Sequence, residues 1–344
     1  MTYRSAEESK KVRMKAIVQD RYGPPQQVLR LEELDRPSFG DDDALVRMRA
    51  TSVNTPDWLT VTGVPYFIRL QAGLFKPSTR VRGTDVAGVV EAVGKNVTHL
   101  EPGDEVFGSW WDNKLRTRGT FAELTVGPAS QLIEKPATLS FEEAGAAAMS
   151  GLTALAAIRD VGEVRPGTRI LINGASGGVG TFAVQIAKML GAEVTGVCST
   201  RNWELVRSLG ADHVIDHTNE DFTQGEQRYD VILDNVMNHP PSTVARVLAP
   251  KGKFLPNSVG TKGGLLGGLP RMARAALMGL GRTEVKFVGD WVPPNHENLG
   301  ALSKMLESGD VEVVIDEVYP LAEAGRAVAH MVGHHARGNV VITI

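Results

Sequence analysis

Apolar residues follow two rhythms along this chain. From Met14 to Pro136 they occur in short runs, and Ala16–Val18, Ala44–Met48, Val86–Val93, Glu105–Phe107 and Gly119–Val126 each read as a strand. Tyr22-Gly23-Pro24-Pro25, Arg36-Pro37 and Glu101-Pro102-Gly103-Asp104 supply turns between them. Many short strands with Gly/Pro punctuation predict a compact, barrel-like β domain. Beyond Pro136 the rhythm changes. Ser140 is placed to cap a helix whose first turn carries Glu142 and Glu143, an alanine-rich run continues to Ala148, and Gly151–Ile158 predicts a second helix.

Strands then alternate with helices. Ile170–Ile172, Glu193–Cys198, His213–Ile215, Val231–Leu233 and Lys253–Pro256 read as strands. Phe182–Leu190, Trp203–Leu209 and the region of Thr243–Leu248 read as helices between them. This spacing predicts a parallel, doubly wound sheet. Thr261–Thr283 breaks the pattern: glycines first, then Arg271–Leu280 with Met, Ala and Leu among arginines. It reads as a surface crossover to a last sheet strand, Glu284–Val288, or as an amphipathic flap. Asn295–Ser308 predicts a helix, and Val311–Ile315, Ala322–Val332 and Val340–Ile344 predict strand, helix and a terminal strand returning to the first domain.

At 344 residues the chain should form two domains with separate cores. A formal net charge of -3 gives no global reason to expect nucleic acid or an anionic membrane as partner. The single cysteine, Cys198, excludes an internal disulfide and a multi-cysteine zinc site, and favours a cytoplasmic protein. Cys198 itself reads as a small core residue. No uninterrupted apolar run is long enough for a transmembrane helix. Met1–Arg13 reads as a mobile tail without the apolar core of a secretion signal, and its acids argue against a transit peptide.

The stretch Arg169–Lys188 carries the first chemistry. An apolar strand runs into Ala175, Ser176, Gly177, Gly178, Val179 and Gly180, followed by a helix with an apolar face. That order lets backbone approach a pyrophosphate, which the helix N-terminus meets with free N–H groups and a partial positive charge.

Four stretches make a wider pattern: Ser52-Val53-Asn54-Thr55-Pro56-Asp57-Trp58, Arg82–Val90, Gly119-Thr120-Phe121-Ala122-Glu123 and Asn173–Lys188. With Leu209–Asp216 and the ending Gly333–Ile344, they make the chain similar, from Met14 onward, to the medium-chain dehydrogenase/reductase superfamily. It resembles that family's zinc-independent quinone oxidoreductase-like branch. The resemblance implies an α/β protein with a GroES-like β-rich catalytic domain and a doubly wound parallel-sheet (Rossmann) cofactor domain. Residues 1–13 would be the tail, 14–137 the first part of the catalytic domain, 138–293 the cofactor domain and 294–344 the return. It also implies a homodimer.

By the same matching, the family's catalytic zinc ligands fall at Asn54, Thr84 and Ser150, none a good zinc ligand. His334 and His335 lack ligand spacing to other histidines, so no metal is expected. For the cofactor, an acid usually lies about 20 residues past the turn to hold the NAD ribose. Here Cys198-Ser199-Thr200-Arg201 has none, so Ser199 and Arg201 are expected to bind the 2′-phosphate of NADPH. His217, Asn235 and Asn339 complete the expected cofactor set, although Asn339 replaces a lysine common in relatives. Asn54 and Thr153 are expected beside the nicotinamide, with Asn54 orienting its amide or bonding a substrate carbonyl. Tyr66 is the nearest candidate proton donor. Asp57 and Asp85 read equally well as members of structural ion pairs.

These features predict a zinc-independent NADPH-dependent reductase acting on a small-molecule quinone or α,β-unsaturated carbonyl. The alternatives are an enoyl-thioester reductase, with cations of Arg271–Arg282 serving a phosphate-bearing arm, and an NADPH-binding regulatory or structural protein with little turnover.

Overall fold

A computed structural model of the chain describes residues 13–111, 119–258, 267–280, 283–288, 295–333 and 336–344. The expected tail lies outside them except for Arg13, which already belongs to the first strand, and His334 and His335 lie outside them too.

The first part of the chain contains β1 (Arg13–Val18), α1 (Pro25–Val28), β2 (Arg30–Asp35), β3 (Asp43–Ser52), α2 (Thr55–Thr62), α3 (Arg69–Ala72), β4 (Asp85–Val93), β5 (Glu105–Ser109), β6 (Leu124–Pro128) and β7 (Leu132–Glu134). Helix α4 (Phe141–Leu155) follows. The cofactor-type half then runs β8 (Arg169–Asn173), α5 (Gly178–Met189), β9 (Glu193–Cys198), α6 (Trp203–Ser208), β10 (His213–Asp216), β11 (Tyr229–Asp234), α7 (Pro241–Val244), β12 (Leu248–Pro256), α8 (Leu269–Met278) and β13 (Glu284–Val285). The chain closes with α9 (His296–Glu307), β14 (Ile315–Pro320), α10 (Ala324–Val332) and β15 (Asn339–Thr343).

Two sheets carry the architecture. One is a 6-stranded parallel sheet in the order β10-β9-β8-β11-β12-β13. Strands buried on both faces need continuous apolar runs, and Ile170, Leu171 and Ile172 of β8 are fully buried. The other sheet has 7 strands in the order β14-β15-β3-β4-β5-β7, with β6 also on β3. β15 pairs antiparallel with β3, so the end of the chain returns to the sheet begun near its start.

Helix α4 ties the sheets together, because its alanines share one core with Ala87 and Phe107 of the 7-stranded sheet and Ile170 and Ile172 of the 6-stranded one. Its start follows from the sequence: Ser140 Oγ accepts from the Glu143 N–H at 3.1 Å, and the Glu143 carboxylate accepts from the Ser140 N–H at 2.8 Å. The expected break before Gly151 does not occur. Gly145 and Gly151 are there for close packing: a Cβ at Gly145 would lie 3.0 Å from the Ala50 carbonyl carbon, and one at Gly151 2.7 Å from Leu302.

Three further differences have physical causes. Gly119–Glu123 is not continuous strand; only Ala122 bridges Ala16, and the ladder to β3 starts at Leu124. Val311, Val313 and Val314 are apolar because they pack on the α4/α5 core, and the strand itself begins at Ile315. The short helix α2, hidden in a run of β-branched residues, is set by Pro56 in its first turn and by Gly63, which ends it in the left-handed conformation.

Candidate active site

The site is assembled first by the glycine turn. Gly174 leaves β8 with φ of 79°, which glycine adopts without penalty. A Cβ at Gly180 would overlap the Gly174 carbonyl oxygen, so the third glycine lets α5 lie directly against the turn. Ala175 is tolerated at the first position because Gly196 of β9 faces it; a Cβ there would come within 3.1 Å of the Ala175 methyl. Gly177 differs: a Cβ would meet only the Gly174 oxygen, at 3.6 Å, so the space beside it is open. It is also the N-cap of α5 and supplies no capping side chain, leaving the N–H groups of Gly178, Val179 and Gly180 without a side-chain partner at the cap.

Other groups converge on this turn. Asn202 Nδ2 donates to Ser176 Oγ at 2.8 Å, and Gly338 N–H donates to the Ser176 carbonyl at 2.8 Å. Ser150 Oγ donates to Asn339 Oδ1 at 2.8 Å, and a Cβ on Gly178 would lie 2.5 Å from that oxygen. Thus α4, β15 and the turn meet at one point. At the end of β11, Asn235 Oδ1 accepts from Asn257 at 2.8 Å, while its buried Nδ2 has no partner among the described residues. Open space at Gly177, uncapped helix N–H groups and an unsatisfied amide donor at the carboxyl end of a strand fit a dinucleotide.

The residues expected to meet the adenosine ribose lie at the ends of β9 and β10. Ser199 is half-buried at the end of β9, and Arg201 and His217 are exposed. The His217 N–H donates to the Cys198 carbonyl at 3.0 Å, which places it beside that strand end. An acid is present after all, on the neighbouring strand: Asp216 pairs in register with Cys198. Its oxygens are occupied, accepting from Thr200 Oγ1 at 2.5 Å, Thr218 Oγ1 at 2.7 Å and Asn219 Nδ2 at 2.8 Å. Those hydrogen bonds, led by Thr200, hold its pKa down to about 2. Burial pushes the Cys198 thiol up to about 11, so it is a packing residue without nucleophilic character.

In the β-rich domain, Asn54 is buried at the N-terminus of α2, where the Asp57 carboxylate accepts from its backbone N–H at 2.8 Å. Its Nδ2 donates to Asp85 Oδ2 at 2.9 Å and to Ser52 Oγ at 3.0 Å. Both amide hydrogens are therefore committed, and only Oδ1 can meet a ligand. That arrangement disfavours donation to a substrate carbonyl and favours acceptance from a nicotinamide carboxamide or a ribose hydroxyl. Asp85 also accepts from Ser52 Oγ at 2.7 Å and from the Met149 N–H at 3.1 Å, so one carboxylate joins β3, β4, Asn54 and α4. Burial raises Asp85 to about 6 and Asp57 to about 7. The expected ion pairs are replaced for Asp85 by hydroxyl, amide and backbone donors. Asp57 is bonded by two backbone N–H groups, from Asn54 and Gly83, with the buried Arg82 charge nearby.

Thr153, half-buried one turn beyond Ser150 on α4, donates to the Met149 carbonyl at 2.7 Å and keeps its lone pairs free to accept. The buried Thr84 hydroxyl has no partner among the described residues. Tyr66 is 46% exposed beyond the C-terminal end of α2, with the Arg69 guanidinium 4.6 Å from its ring centre. Among the described residues, no group of three His, Cys, Asp or Glu side chains is arranged to hold a metal. Sequence reasoning missed Ser52 and Asn202, whose roles need the fold, and misjudged Asp85, whose position directly after Gly83-Thr84 was the available signal.

A nucleotide turn on a parallel sheet, facing a β-rich domain closed by the C-terminal strand, defines the class: a nicotinamide-dependent oxidoreductase of two-domain build. Residues 40–137 match the alcohol dehydrogenase GroES-like domain family, and residues 209–342 match the zinc-binding dehydrogenase family. The chain is 31% identical to quinone-oxidoreductase QR1, chloroplastic, of Triphysaria versicolor, over 96% of its own length and 98% of that protein. It is 32% identical to the trans-enoyl reductase pgmF of Aspergillus terreus, over 89% of this chain and 88% of that one. The solved structure of the quinone oxidoreductase from Coxiella burnetii superposes with a TM-score of 0.83 at 27% identity, covering 97% of this chain and 100% of that one. The chain belongs to the medium-chain dehydrogenase/reductase superfamily, in its quinone oxidoreductase-like branch. The family is one of oxidoreductases that bind a nicotinamide cofactor.

Proposed function

We propose that this protein is an NADPH-dependent reductase that transfers hydride, without a metal, to a quinone or an α,β-unsaturated carbonyl. One observation carries the reading: the positions matching the family's zinc ligands are Asn54, Thr84 and Ser150, and two of these side chains are committed to the protein itself. Asn54 is held by Ser52 and Asp85, and Ser150 by Asn339. None of the three supplies sulfur, imidazole or carboxylate. An alkoxide-forming Lewis acid therefore has no donor set here, whereas a quinone or enone needs only an oriented hydride and a proton.

The cofactor would lie with its pyrophosphate at Ala175–Gly180, its 2′-phosphate at Ser199 and Arg201 beside His217, and its nicotinamide end toward Asn235, Asn339, Asn54 and Thr153. A reduced nicotinamide supplies the hydride. Asn54 Oδ1, fixed by Asp85, orients the carboxamide, and Asn235 Nδ2 offers the unsatisfied donor noted above. Tyr66 is the proposed proton source at the mouth, where its exposure allows water to relay the proton. A homodimer is proposed as well, since β13 leaves an open edge on the parallel sheet.

Identity to a trans-enoyl reductase supports enoyl-thioester reduction as a second reading. Of the cations expected to serve a phosphate-bearing arm, Arg271 spends Nη1 on the Met237 carbonyl at 2.6 Å, which weakens that reading, and Arg274 is exposed. NADPH oxidation measured against 1,4-benzoquinone, a short enone and a crotonyl thioester separates the two. Quinone or enone turnover at least about tenfold above thioester turnover is expected, a gap of about 1.4 kcal/mol in transition-state binding. Dominant thioester turnover selects the second reading, and no turnover with any acceptor rejects both.

A further inference from the structure

We propose that the segment from Leu70 to Lys76 is a docking surface for an anionic lipid bilayer. A short 3-10 turn, Tyr66–Ile68, runs into α3 with Ile68 and Ala72 buried, so the opposite face of α3 carries Leu70 outward. Leu70 is 77% exposed, and Leu74 and Phe75, in the loop that follows, are 56% and 89% exposed. This loop is no frayed end. The Gly73 N–H donates to the Arg69 carbonyl at 2.9 Å and the Ser78 N–H to the Ala72 carbonyl at 2.7 Å, with Pro77 buried behind them. A hydrogen-bonded loop thus holds large apolar side chains in water at its tip. Scattered exposed leucines need no explanation, but a fixed cluster of this kind does.

Charge selects the occupant. From Trp58 to Thr84 the chain has Arg69, Lys76, Arg80 and Arg82 and no acid, although the whole protein carries a net charge of -3. Arg80 is paired with Asp20 and Glu32, Arg82 is buried, and the half-buried Arg69 lies between the Tyr22 and Tyr66 rings with its Nε donating to the Gly63 carbonyl, so the exposed Lys76 carries the outward positive charge of the segment. The neighbouring element has the same character: a Cβ on Gly267 would lie 2.5 Å from Pro65, and α8, which follows, carries exposed Arg274 and Leu277 and no acid. Net charge alone predicts no membrane partner, but its distribution reverses that locally. Shallow apolar insertion beside Lys and Arg is the pattern of interfacial binding to anionic lipid. Two-fold self-association would set Lys76 against its own copy, with no acid between Trp58 and Thr84 to pair with it. Side chains this open do not form the enclosing wall of a small-molecule pocket. No helix among the described residues is long and apolar enough to cross a membrane, so contact at the surface is the mode.

The test is flotation of the full chain with vesicles of phosphatidylcholine alone or with roughly 30% phosphatidylserine, at about 0.1 M salt. The protein should float with the anionic vesicles and several-fold less at about 0.5 M salt. The double variant Leu74→Ser/Phe75→Ser should reduce the bound fraction about tenfold, and Lys76→Glu alone should reduce it as well. NADPH affinity and Tm, unchanged in both, confirm that they fold. Absence of flotation, or flotation equal in the variants, overturns the proposal. So does a concentration-dependent dimer abolished by Leu74→Ser/Phe75→Ser, which would assign the surface to a second copy.

Discussion

Gly177 and Gly180 sit three residues apart in one turn, yet their substitutions should read differently. A methyl at Gly177 enters open space with an ordinary φ, so Gly177→Ala should leave Tm within about 1–2 °C of the parent while weakening NADPH binding roughly tenfold or more. Gly180→Ala drives a methyl into the Gly174 carbonyl and should lower both Tm and affinity. Fluorescence titration with NADPH beside thermal melting checks this, and equal Tm losses in both would refute the assignment of Gly177 to the ligand. At the ribose, Ser199→Asp places a carboxylate near the proposed 2′-phosphate. It should raise KM for NADPH about tenfold while sparing NADH; unchanged preference would remove Ser199 as a selector. The turn was legible because phosphate binding imposes glycine at fixed offsets. Asp216 was not, because the occupation of its carboxylate oxygens depends on Thr200, Thr218 and Asn219 folding around it.

At the scale of elements, the carboxylates on and behind α2 set a pH signature. Asp57 and Asp85 are raised by burial to about 7 and about 6, against about 3.9 in an unfolded chain. The folded state then holds more protons between those values, so their contribution to stability is full below about pH 4 and is lost as pH rises through 6 to 7. Asp20 runs the other way: its hydrogen bonds to Arg80 and Arg30 lower it to about 2, giving stability present above about pH 4 and lost as pH falls toward 2. Replacing Asp57 by Asn should flatten the decline of Tm between pH 5 and pH 8, measured by melting across that range. An unchanged slope would show that Asp57 does not titrate there. Strands and helices with regular apolar spacing were visible in the sequence, as β9 shows. Helix α4 was misread at Gly151 because a glycine chosen for contact with Leu302 looks, in sequence alone, like one chosen to end a helix.

For the whole molecule, the sequence held the two-sheet plan, including the return of β15 to β3, because the change from β-rich to alternating rhythm and the family-like motifs both survive in linear order. What it could not hold was convergence. Ser150, Gly178 and Asn339 meet across three elements, and Asp85 links Asn54 to Met149, through contacts that exist only once the sheets share α4. Those links join the glycine turn, α4 and the strand ends of the β-rich domain into one hydrogen-bonded frame beside the proposed cofactor site. The proposed reaction needs NADPH and no metal. The most direct measurement is kcat/KM for NADPH and for NADH with one quinone acceptor, on protein dialysed exhaustively against a chelator. Persistent turnover, with NADPH preferred at least about tenfold, is the expected result. Activity that disappears on chelation and returns with zinc, or a preference for NADH, would contradict it.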